Sequence, residues 1–433
     1  MSPGEVSAWL FGVFVLLILL RVPVSFALGL ACVPVFLLEE RLTPILLISE
    51  MWKSYNAFIL LAVPFFLLAA NLMNAAGITD RLIQLSRATV GHFPGGLGHI
   101  NVMVSMLFAG ISGSSTADAA GIGSLLIPSM KKQGYDARFS VAITACSSVM
   151  GVIIPPSIIM IVWGGLMSVS IGGLFLAGIV PGFLMALSMM MTVWVYARIR
   201  KYPTCEKATW KQFTHSLKKA SLALVTPVII VGGIVGGLFT PTEASVVAVV
   251  YSFILGTWVY RSLKFNEIPK VIYDSARFAS VSLFCIGTAS AFGWLLAYFR
   301  VPRALVDWVS QWASGPISTG CLIAGAFIFI GMFIDAIPAI IILGTILMPL
   351  STNAGIHPIQ FAMIGVVSLA FGLVTPPYGL CLLIACAIGE TSVIETLKDV
   401  FIILLPMLLI LGLLIFFPEC SLFIPRHIQP GFL

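Results

Sequence analysis

Apolar runs long enough to approach the width of a bilayer recur along the whole chain. Hydrophobic stretches lie at 9–20, 222–238, 246–259 and 400–417, and about 20 such residues span the hydrocarbon core. Because lipid offers no partner to backbone amides, these segments are expected to be helices rather than strands. The pattern predicts an all-α polytopic membrane protein embedded in a lipid bilayer.

Polar residues between the runs set the expected topology. The longest polar interval, 198–219, is rich in Lys and Arg and divides the chain near its middle. Basic loops face the cytoplasm, and counting spans outward from this interval places both termini in the periplasm. The stretch 98–128 is flanked by Arg87 and Lys131. Since both ends are basic, we expect a re-entrant hairpin entered from the cytoplasm.

The second half repeats the backbone breaks of the first half at an offset of 221 residues. The paired landmarks are Pro128 and Pro349, Gly134 and Gly355, Gly151 and Gly372, and Pro155–Pro156 and Pro376–Pro377. Paired breaks in two halves of a membrane protein point to a transport site. The stretch 318–350 is then the second hairpin. Its following loop, STNAGIHPIQ, lacks the basic residues of KKQGYDARFS, which predicts repeats of inverted topology.

The repeat divides the chain into units with distinct expected roles. Scaffold helices with an interfacial arm are predicted at 1–90, and a transport unit with the first hairpin and broken helix at 91–200. A basic cytoplasmic linker follows at 201–221, then a second scaffold and arm at 222–313 and a second transport unit with a C-terminal helix at 314–433. The amphipathic arms, Arg81 to Arg87 and Arg300 to Trp312, are expected to lie along the membrane interface.

Composition excludes several functional classes. Hydrophobic residues make up 59% of the chain and charged residues 9%, whereas soluble domains carry about 25% charge. The net charge of +6 reflects basic loops, and no nucleic-acid-binding motif is present. The eight cysteines are scattered without metal-ligand spacing. We therefore expect no resident cofactor and no metal or redox chemistry at the cysteines.

Carboxylates inside apolar sequence need an explanation, because a charge in the bilayer is costly. Asp335 lies deep in the second hairpin, and its counterpart at the first tip is Ser114. Hard oxygen ligands of this kind suit a small cation such as sodium. Asp118 is expected to cap a half-helix, with a direct role in ion binding as the alternative, and Glu243 is expected to lie at a surface or cap. Arg21 is interpreted as a cytoplasmic anchor.

The Pro-Pro breaks supply further ligands. Proline lacks an N–H group, so two in succession leave upstream carbonyls unpaired, which is tolerated at membrane depth where they line a cavity. The helix that follows each break begins with free N–H groups, and these favour an anionic substrate.

Several segments together resemble the large membrane subunit of tripartite ATP-independent periplasmic (TRAP) transporters. They are GISGSSTADAAGIG, IPSMKKQGYD, the PPS and TPPYG breaks and the opening LLRVPVSFALG, and the resemblance runs from end to end. It implies a fold similar to the divalent anion–sodium symporters, with an elevator mechanism and no enzymatic activity. It also implies sodium-driven import of organic acids such as C4-dicarboxylates or sialic acid across the bacterial inner membrane. The implied partners are a small four-helix membrane subunit and a periplasmic substrate-binding protein.

The resemblance also assigns site residues. The first sodium site would comprise side chains or carbonyls of Ser112, Ser114, Ser115, Gly151 and Ile154. The second would comprise Asp335, Gly372 and Thr375. The substrate would sit between the tips, close to Ser115, Pro156, Ala336 and Pro377.

Two other functions remain to be weighed against symport. A sodium–proton or oxyanion antiporter on a related inverted-repeat fold stays open, because Asp335 could titrate. An intramembrane aspartyl protease could use Asp118 and Asp335, but the sequence lacks the GxGD-type motif of that class.

Overall fold

The computed structural model describes residues 1–309 and 315–432, and every regular element in these ranges is helical. Seven of the described helical segments are long and apolar enough to cross a membrane: Phe58–Ala75, Ile171–Arg200, Trp210–Val235, Pro241–Val259, Ile268–Tyr298, Ala336–Asn353 and Val393–Phe416. The prediction of an all-α polytopic membrane protein is confirmed.

The first half consists of helices α1 to α10. Their bounds are Pro3–Leu19, Val24–Leu38, Pro44–Tyr55, Ala62–Ala75, Ile78–Val90, Gly96–Ser112, Ser115–Lys132, Ala137–Ser148, Ile158–Met167 and Ile171–Arg200. A short 3₁₀ turn at Phe58–Leu61 precedes α4, and another at Val149–Val152 follows α8.

The second half continues with α11 to α21. Their bounds are Trp210–Val235, Pro241–Ile254, Ile268–Tyr298, Val301–Val309, Pro316–Gly331, Ala336–Ala339, Thr345–Asn353, Pro358–Gly372, Leu380–Gly389, Val393–Phe416 and Glu419–Ile428. Wide π turns extend α12 over Leu255–Val259 and join α16 to α17 over Ile340–Gly344. A 3₁₀ turn at Pro430–Phe432 ends the described chain.

Helix bounds recur between the halves at the spacing that the glycine and proline breaks predict. The bounds of α7 reappear 221 residues later in the α16–α17 unit, Ala336–Asn353. The stretch formed by α8 and its 3₁₀ turn, 137–152, reappears as α18 within one residue. Because Gly and Pro fix local backbone shape, the helices end where the sequence indicates.

The two halves pack into one another rather than side by side. In the predicted scaffold, α4 packs against α12 and α2 against α13. In the predicted transport units, α7 packs against α19, and α9 packs against α16. The Trp163 ring on α9 lies 5.6 Å from the Phe327 ring and 5.3 Å from the Phe361 ring. Each predicted hairpin therefore contacts a helix that belongs to the other half.

One predicted boundary differs in detail from the observed helices. Within the predicted linker 201–221, only 201–209 is free of helix, because α11 begins at Trp210. A capping box between Thr209 and Gln212 starts α11 there, a local signal that satisfies two orphan backbone donors. The arm residue Trp312 lies outside the described residues.

Candidate functional site

The first predicted tip is a tight turn between α6 and α7. Helix α6 ends at Ser112, and Gly113 adopts a left-handed conformation with φ of 63°. Ser114 then caps α7, since its hydroxyl accepts a hydrogen bond from the Ala117 N–H at 3.4 Å. The glycine is required here because a left-handed backbone is strained for other residues.

This tip is attached to the first Pro-Pro break. The Ile158 N–H donates to the Gly113 carbonyl at 3.2 Å. A side chain at Gly113 would bring its Cβ within 2.7 Å of the Pro156 carbonyl oxygen. On the other side of the break, the Ser157 hydroxyl donates to the Val152 carbonyl at 2.7 Å and caps α9. The turn and the broken helix thus form one bonded unit.

Asp118 lies inside this unit, and its expected capping role is wrong. Ser114 is the cap of α7, whereas Asp118 lies one turn further on and is fully buried. Its Oδ1 accepts a hydrogen bond from the Ser112 hydroxyl. Its Oδ2 points at the break, because a Cβ built on Gly151 would lie 2.6 Å from that oxygen. Asp118 therefore joins Ser112 and Gly151 at the predicted first sodium site.

Two buried oxygens of the first site have no hydrogen-bond partner among the described residues. They are Asp118 Oδ2 and Ser115 Oγ. Buried polar atoms are nearly always satisfied, so an orphan pair needs an explanation. A carboxylate, hydroxyls and nearby carbonyls form a hard donor set of the kind that binds small cations.

Ile154, the remaining residue predicted for the first site, has its side chain directed elsewhere. That side chain packs against Gly182 on α10. It also lines an apolar cavity of about 470 Å³ together with Pro155 and with residues of α6, α10 and α11. Only the backbone carbonyl of Ile154 could bind an ion at the first site.

The second predicted site is built on the start of α16. Asp335 is half-buried and caps this helix, with its Oδ1 accepting the Ala336 N–H at 2.8 Å. Gly372 packs directly on α15, since a Cβ there would lie 2.4 Å from the Gly331 carbonyl carbon. This close approach holds the end of α18 beside the hairpin that carries Asp335.

The second Pro-Pro break is also bonded to its hairpin. The Tyr378 N–H donates to the Met332 carbonyl at 2.9 Å. The Thr375 hydroxyl donates to the Phe371 carbonyl at 2.7 Å, and among the described residues it makes no hydrogen bond to Asp335. The three predicted residues of this site are therefore brought to one region, but without the direct contacts seen at the first site.

The residues predicted to hold the substrate differ in accessibility. Ser115, Pro156 and Ala336 are buried, whereas Pro377 is exposed. Helix α9 starts after the first break and packs on α16. At its N-terminal end the Ile158 N–H is already bonded to the Gly113 carbonyl, so only part of this helix end is available to an anion.

Comparison with known proteins decides the family. A model of the family described as tripartite ATP-independent periplasmic transporter, DctM component, matches residues 11–420. The chain belongs to this family. The resemblance found in the sequence is confirmed, and the DctM chain is a transporter subunit rather than an enzyme.

Named relatives match most of the length of this chain. It is 35% identical to the sialic acid TRAP transporter large permease protein SiaM of Vibrio cholerae, over 98% of both chains. It is 35% identical to the C4-dicarboxylate large permease DctM of Pseudomonas aeruginosa, over 87% of this chain and 88% of that one. The 2,3-diketo-L-gulonate large permease YiaN of Escherichia coli is 34% identical, over 93% and 95%.

Solved structures with the same fold are also transporters. The YdaH transporter of Alcanivorax borkumensis superposes with a TM-score of 0.63 at 13% identity, over 85% of this chain and 86% of that one. MtrF of Neisseria gonorrhoeae gives a TM-score of 0.58 at 14% identity, over 86% and 84%. At these identities the likeness concerns the fold alone.

The sequence favours a capping role for Asp118 over a place in the first site, and the structure reverses that order. A signal was present, because Asp118 follows Ser114 by four residues and therefore lies on the same face of α7. The repeat drew attention to Ser114 and Asp335 as counterparts instead. The approach of Gly151 to the Asp118 carboxylate depends on tertiary packing and cannot be predicted from the local sequence.

Proposed function

We propose that this DctM chain is the large permease of a sodium-driven, ATP-independent importer of an organic acid. The named relatives carry sialic acid, C4-dicarboxylates and a diketogulonate, which are all carboxylates. The substrate class proposed here is accordingly a small carboxylate, with sialic acid and C4-dicarboxylates as the first compounds to test.

The first site carries this proposal. A fully buried carboxylate with one unpartnered oxygen, next to an unpartnered hydroxyl, lies where a helix is broken inside apolar sequence. Leaving a buried charge uncompensated costs several kcal/mol. A sodium ion held by Asp118, Ser112, Ser114, Ser115 and the Gly151 carbonyl region would neutralise that charge and satisfy both oxygens.

A second sodium ion is proposed at Asp335, Gly372 and Thr375. The Thr375 hydroxyl oxygen keeps free lone pairs after donating to Phe371, as a ligand must. The organic anion would lie between the two tips, near Ser115 and Ala336 and beside the Pro156 and Pro377 breaks. The N-terminal ends of α9 and α19 would then help to hold its carboxylate.

The transport step follows from the arrangement of the halves. We assign 91–200 and 314–433 to a moving unit, 1–90 and 222–313 to a scaffold, and 201–221 to the linker between them. The recurring helix bounds and the basic residues found only after the first hairpin support re-entrant hairpins of opposite orientation. Such repeats commonly alternate access by moving one unit against the other, here as an elevator.

The proposed setting follows from the family. The chain would lie in the bacterial inner membrane with both termini in the periplasm. A small four-helix subunit would pack against the scaffold, and a periplasmic binding protein would deliver the anion. The names of the relatives support partner subunits, since they are called large permeases.

Uptake into proteoliposomes tests the proposal. The complete transporter, reconstituted with its two partners, should accumulate labelled sialic acid or succinate only under an inward sodium gradient, with choline as the replacement ion. Asp118→Asn and Asp335→Asn should each abolish this uptake while expression is retained. Glu243→Gln is the matched control, because Glu243 belongs to a capping box with Thr240 and Gln preserves that motif.

The same vesicles separate symport from the antiporter alternative. A symporter moves sodium only together with the organic anion. Sodium-driven acidification or alkalinisation without any organic anion would favour an antiporter. Uptake that ignores the sodium gradient, or wild-type uptake by both Asp variants, would contradict the proposal.

A further inference from the structure

The apolar cavity of about 470 Å³ beside the first Pro-Pro break is a groove where α6 and α10 meet α11. Its floor includes Met106 and Gly110 of α6 together with Pro155 of the break, and one wall includes Val228 and Gly232 of α11. Helices α6 and α10 belong to the unit that we propose to move, whereas this part of α11 belongs to the proposed scaffold. This groove, hereafter the α10–α11 groove, therefore lies between the two units.

The α10–α11 groove opens sideways on the outer surface of the protein. Three of its lining residues are exposed apolar side chains, namely Ile179 at 38%, Phe183 at 59% and Val228 at 68%. They lie on α10 and α11, which are both long and apolar enough to cross a membrane. In a bilayer, the groove is therefore open to the acyl chains of lipids.

The α11 wall of the groove ends in a basic residue toward the cytoplasm. Lys218, Val225 and Gly232 are spaced by seven residues, so they share one face of α11. Lys218 precedes Val228 by ten residues, which is about 15 Å along a helix axis. Because the hydrocarbon core is about 30 Å thick, one leaflet spans the same distance. A lipid held at Lys218 would therefore place the end of its acyl chain in the groove.

The α10 wall carries the same succession of groups. Phe183, Leu187, Trp194 and Arg198 follow one another at spacings of four and seven residues, so they lie on one face of α10. The guanidinium carbon of Arg198 lies 4.0 Å from the centroid of the Trp194 ring. Tryptophan marks the level of the lipid head groups, and basic pockets between spanning helices on the cytoplasmic side bind anionic head groups. Both walls thus run from apolar residues to a cation.

A buried histidine lies on the floor between these walls. His99, Met106 and Gly110 are spaced by seven and four residues, so they share one face of α6. The His99 side chain is 5% exposed, and its ring lies 5.7 Å from the Phe93 ring. Neither ring nitrogen makes a well-formed hydrogen bond among the described residues, although the Pro94 carbonyl is close by. A buried imidazole has an N–H to donate, and an oxygen of a lipid head group would satisfy it.

We propose that the α10–α11 groove binds one anionic phospholipid of the cytoplasmic leaflet. Its acyl chain fills the apolar part of the groove, its phosphate lies near Arg198 and Lys218, and its glycerol esters lie near His99. The two cations select a negative head group. The lipid separates the α11 wall from α6 and Pro155, so it influences how the moving unit passes the scaffold. The binding does not depend on the transported substrate, whereas the effect on transport rests on the proposed elevator.

Lipid retention by the purified full-length chain tests this inference without transport. In native mass spectrometry, the wild type should retain one phosphatidylglycerol at least about tenfold more strongly than phosphatidylcholine, because two cations face the head group. Gly232→Leu should lose this lipid, since a Cβ at Gly232 has nothing within 4 Å and the added side chain enters the groove without a clash. Gly12→Leu is the matched control, because Gly12 is an exposed α1 residue whose Cβ would also have nothing within 4 Å.

Removing the cations tests the choice of head group. The double variant Arg198→Gln with Lys218→Gln should bind phosphatidylglycerol and phosphatidylcholine equally. Lys132→Gln removes an exposed charge at the end of α7 and should keep the wild-type preference. Equal retention of the two lipids by the wild type, or retention of phosphatidylglycerol that survives Gly232→Leu, would overturn the proposed lipid site.

A photoreactive lipid gives a measurement that needs no variant. Phosphatidylglycerol with a diazirine at the end of one acyl chain should label Met106 or Leu107 on the floor of the groove in the wild-type protein. Excess unlabelled phosphatidylglycerol should suppress this labelling more than excess phosphatidylcholine does. Labelling of the exposed face of α1 with none on the floor of the groove would overturn the lipid site.

Uptake separates the lipid site from the proposed function. Sodium-driven uptake should be faster in vesicles that contain phosphatidylglycerol than in phosphatidylcholine alone, and Gly232→Leu should remove this difference. Equal uptake by the wild type in both lipids would overturn the effect on transport. Retention and labelling as expected, with no sodium-driven uptake in either lipid, would contradict the proposed function and support the lipid site.

Discussion

Substituting Gly151 by alanine tests the geometry of the first site most sharply. The added Cβ would lie 2.6 Å from Asp118 Oδ2, 2.9 Å from the Ser114 carbonyl carbon and 3.0 Å from the Ser115 nitrogen. Ordinary contacts begin at 3.4 Å, so the carboxylate and the tip backbone must both move by several tenths of an ångström. Overpacking of this kind costs about 1–3 kcal/mol.

That displacement would separate the ligands of the proposed ion. Since 1.36 kcal/mol corresponds to a tenfold change in affinity, an overpacking cost of about 1–3 kcal/mol translates to about a 5- to 150-fold loss of sodium affinity. We expect the sodium concentration for half-maximal uptake to rise by at least about fivefold in Gly151→Ala proteoliposomes. The apparent affinity for the organic anion measured at saturating sodium should change much less.

Gly325→Ala is the matched control for this experiment. Gly325 lies in α15, and an alanine methyl at this position would have nothing within 4 Å. Alanine also favours a helix by up to about 1 kcal/mol over glycine. The sodium dependence of this variant should match the wild type. A folded Gly151→Ala protein with wild-type sodium affinity would refute the placement of the first ion beside Asp118.

Three further changes probe other parts of the molecule. Gly372→Ala should impair the second site and reduce sodium-driven uptake at least about tenfold. The added Cβ would lie 2.4 Å from the Gly331 backbone, and backbone cannot move aside as a flexible side chain can. Unchanged uptake would argue against that close approach. Asp399→Asn should lower thermal stability by about 1–3 kcal/mol, since its nearly buried carboxylate accepts hydrogen bonds from the Tyr196 hydroxyl and the Arg200 guanidinium, both at 2.9 Å. Glu419→Gln removes an exposed ion pair and should change stability by less than about 1 kcal/mol. Equal losses of stability in Asp399→Asn and Glu419→Gln, measured by thermal unfolding, would show that burial does not strengthen the Asp399 interactions.

The helix ends near the breaks were predictable because their causes are local. Gly113 and Gly355 adopt left-handed conformations, and such conformations favour glycine whatever the tertiary fold. The same holds for the Pro-Pro breaks, where proline removes a donor and fixes φ. The glycine and proline positions therefore predict the ends of α7, α8 and α18 to within a few residues.

Contacts between distant elements could not be predicted in the same way. Asp118 meets Gly151 only because α7 folds back on the broken helix, and Asn101 meets Ser147 only because α6 packs on α8. Pattern rules assign Asp118 to a cap because acidic residues are common in first helical turns. In the structure the cap is Ser114, so the Asp118 carboxylate is available to the proposed site.

The orientation of the two hairpins is the claim on which the transport mechanism depends. Lys132 and Asn353 occupy equivalent exposed positions at the ends of α7 and α17. Each can be changed to cysteine after the exposed Cys321 is replaced by serine, and labelled in intact cells with a membrane-impermeant maleimide. We predict that the reagent labels position 353 from the periplasm and labels position 132 only after the cells are opened. Labelling of both positions from the same side would contradict the inverted arrangement.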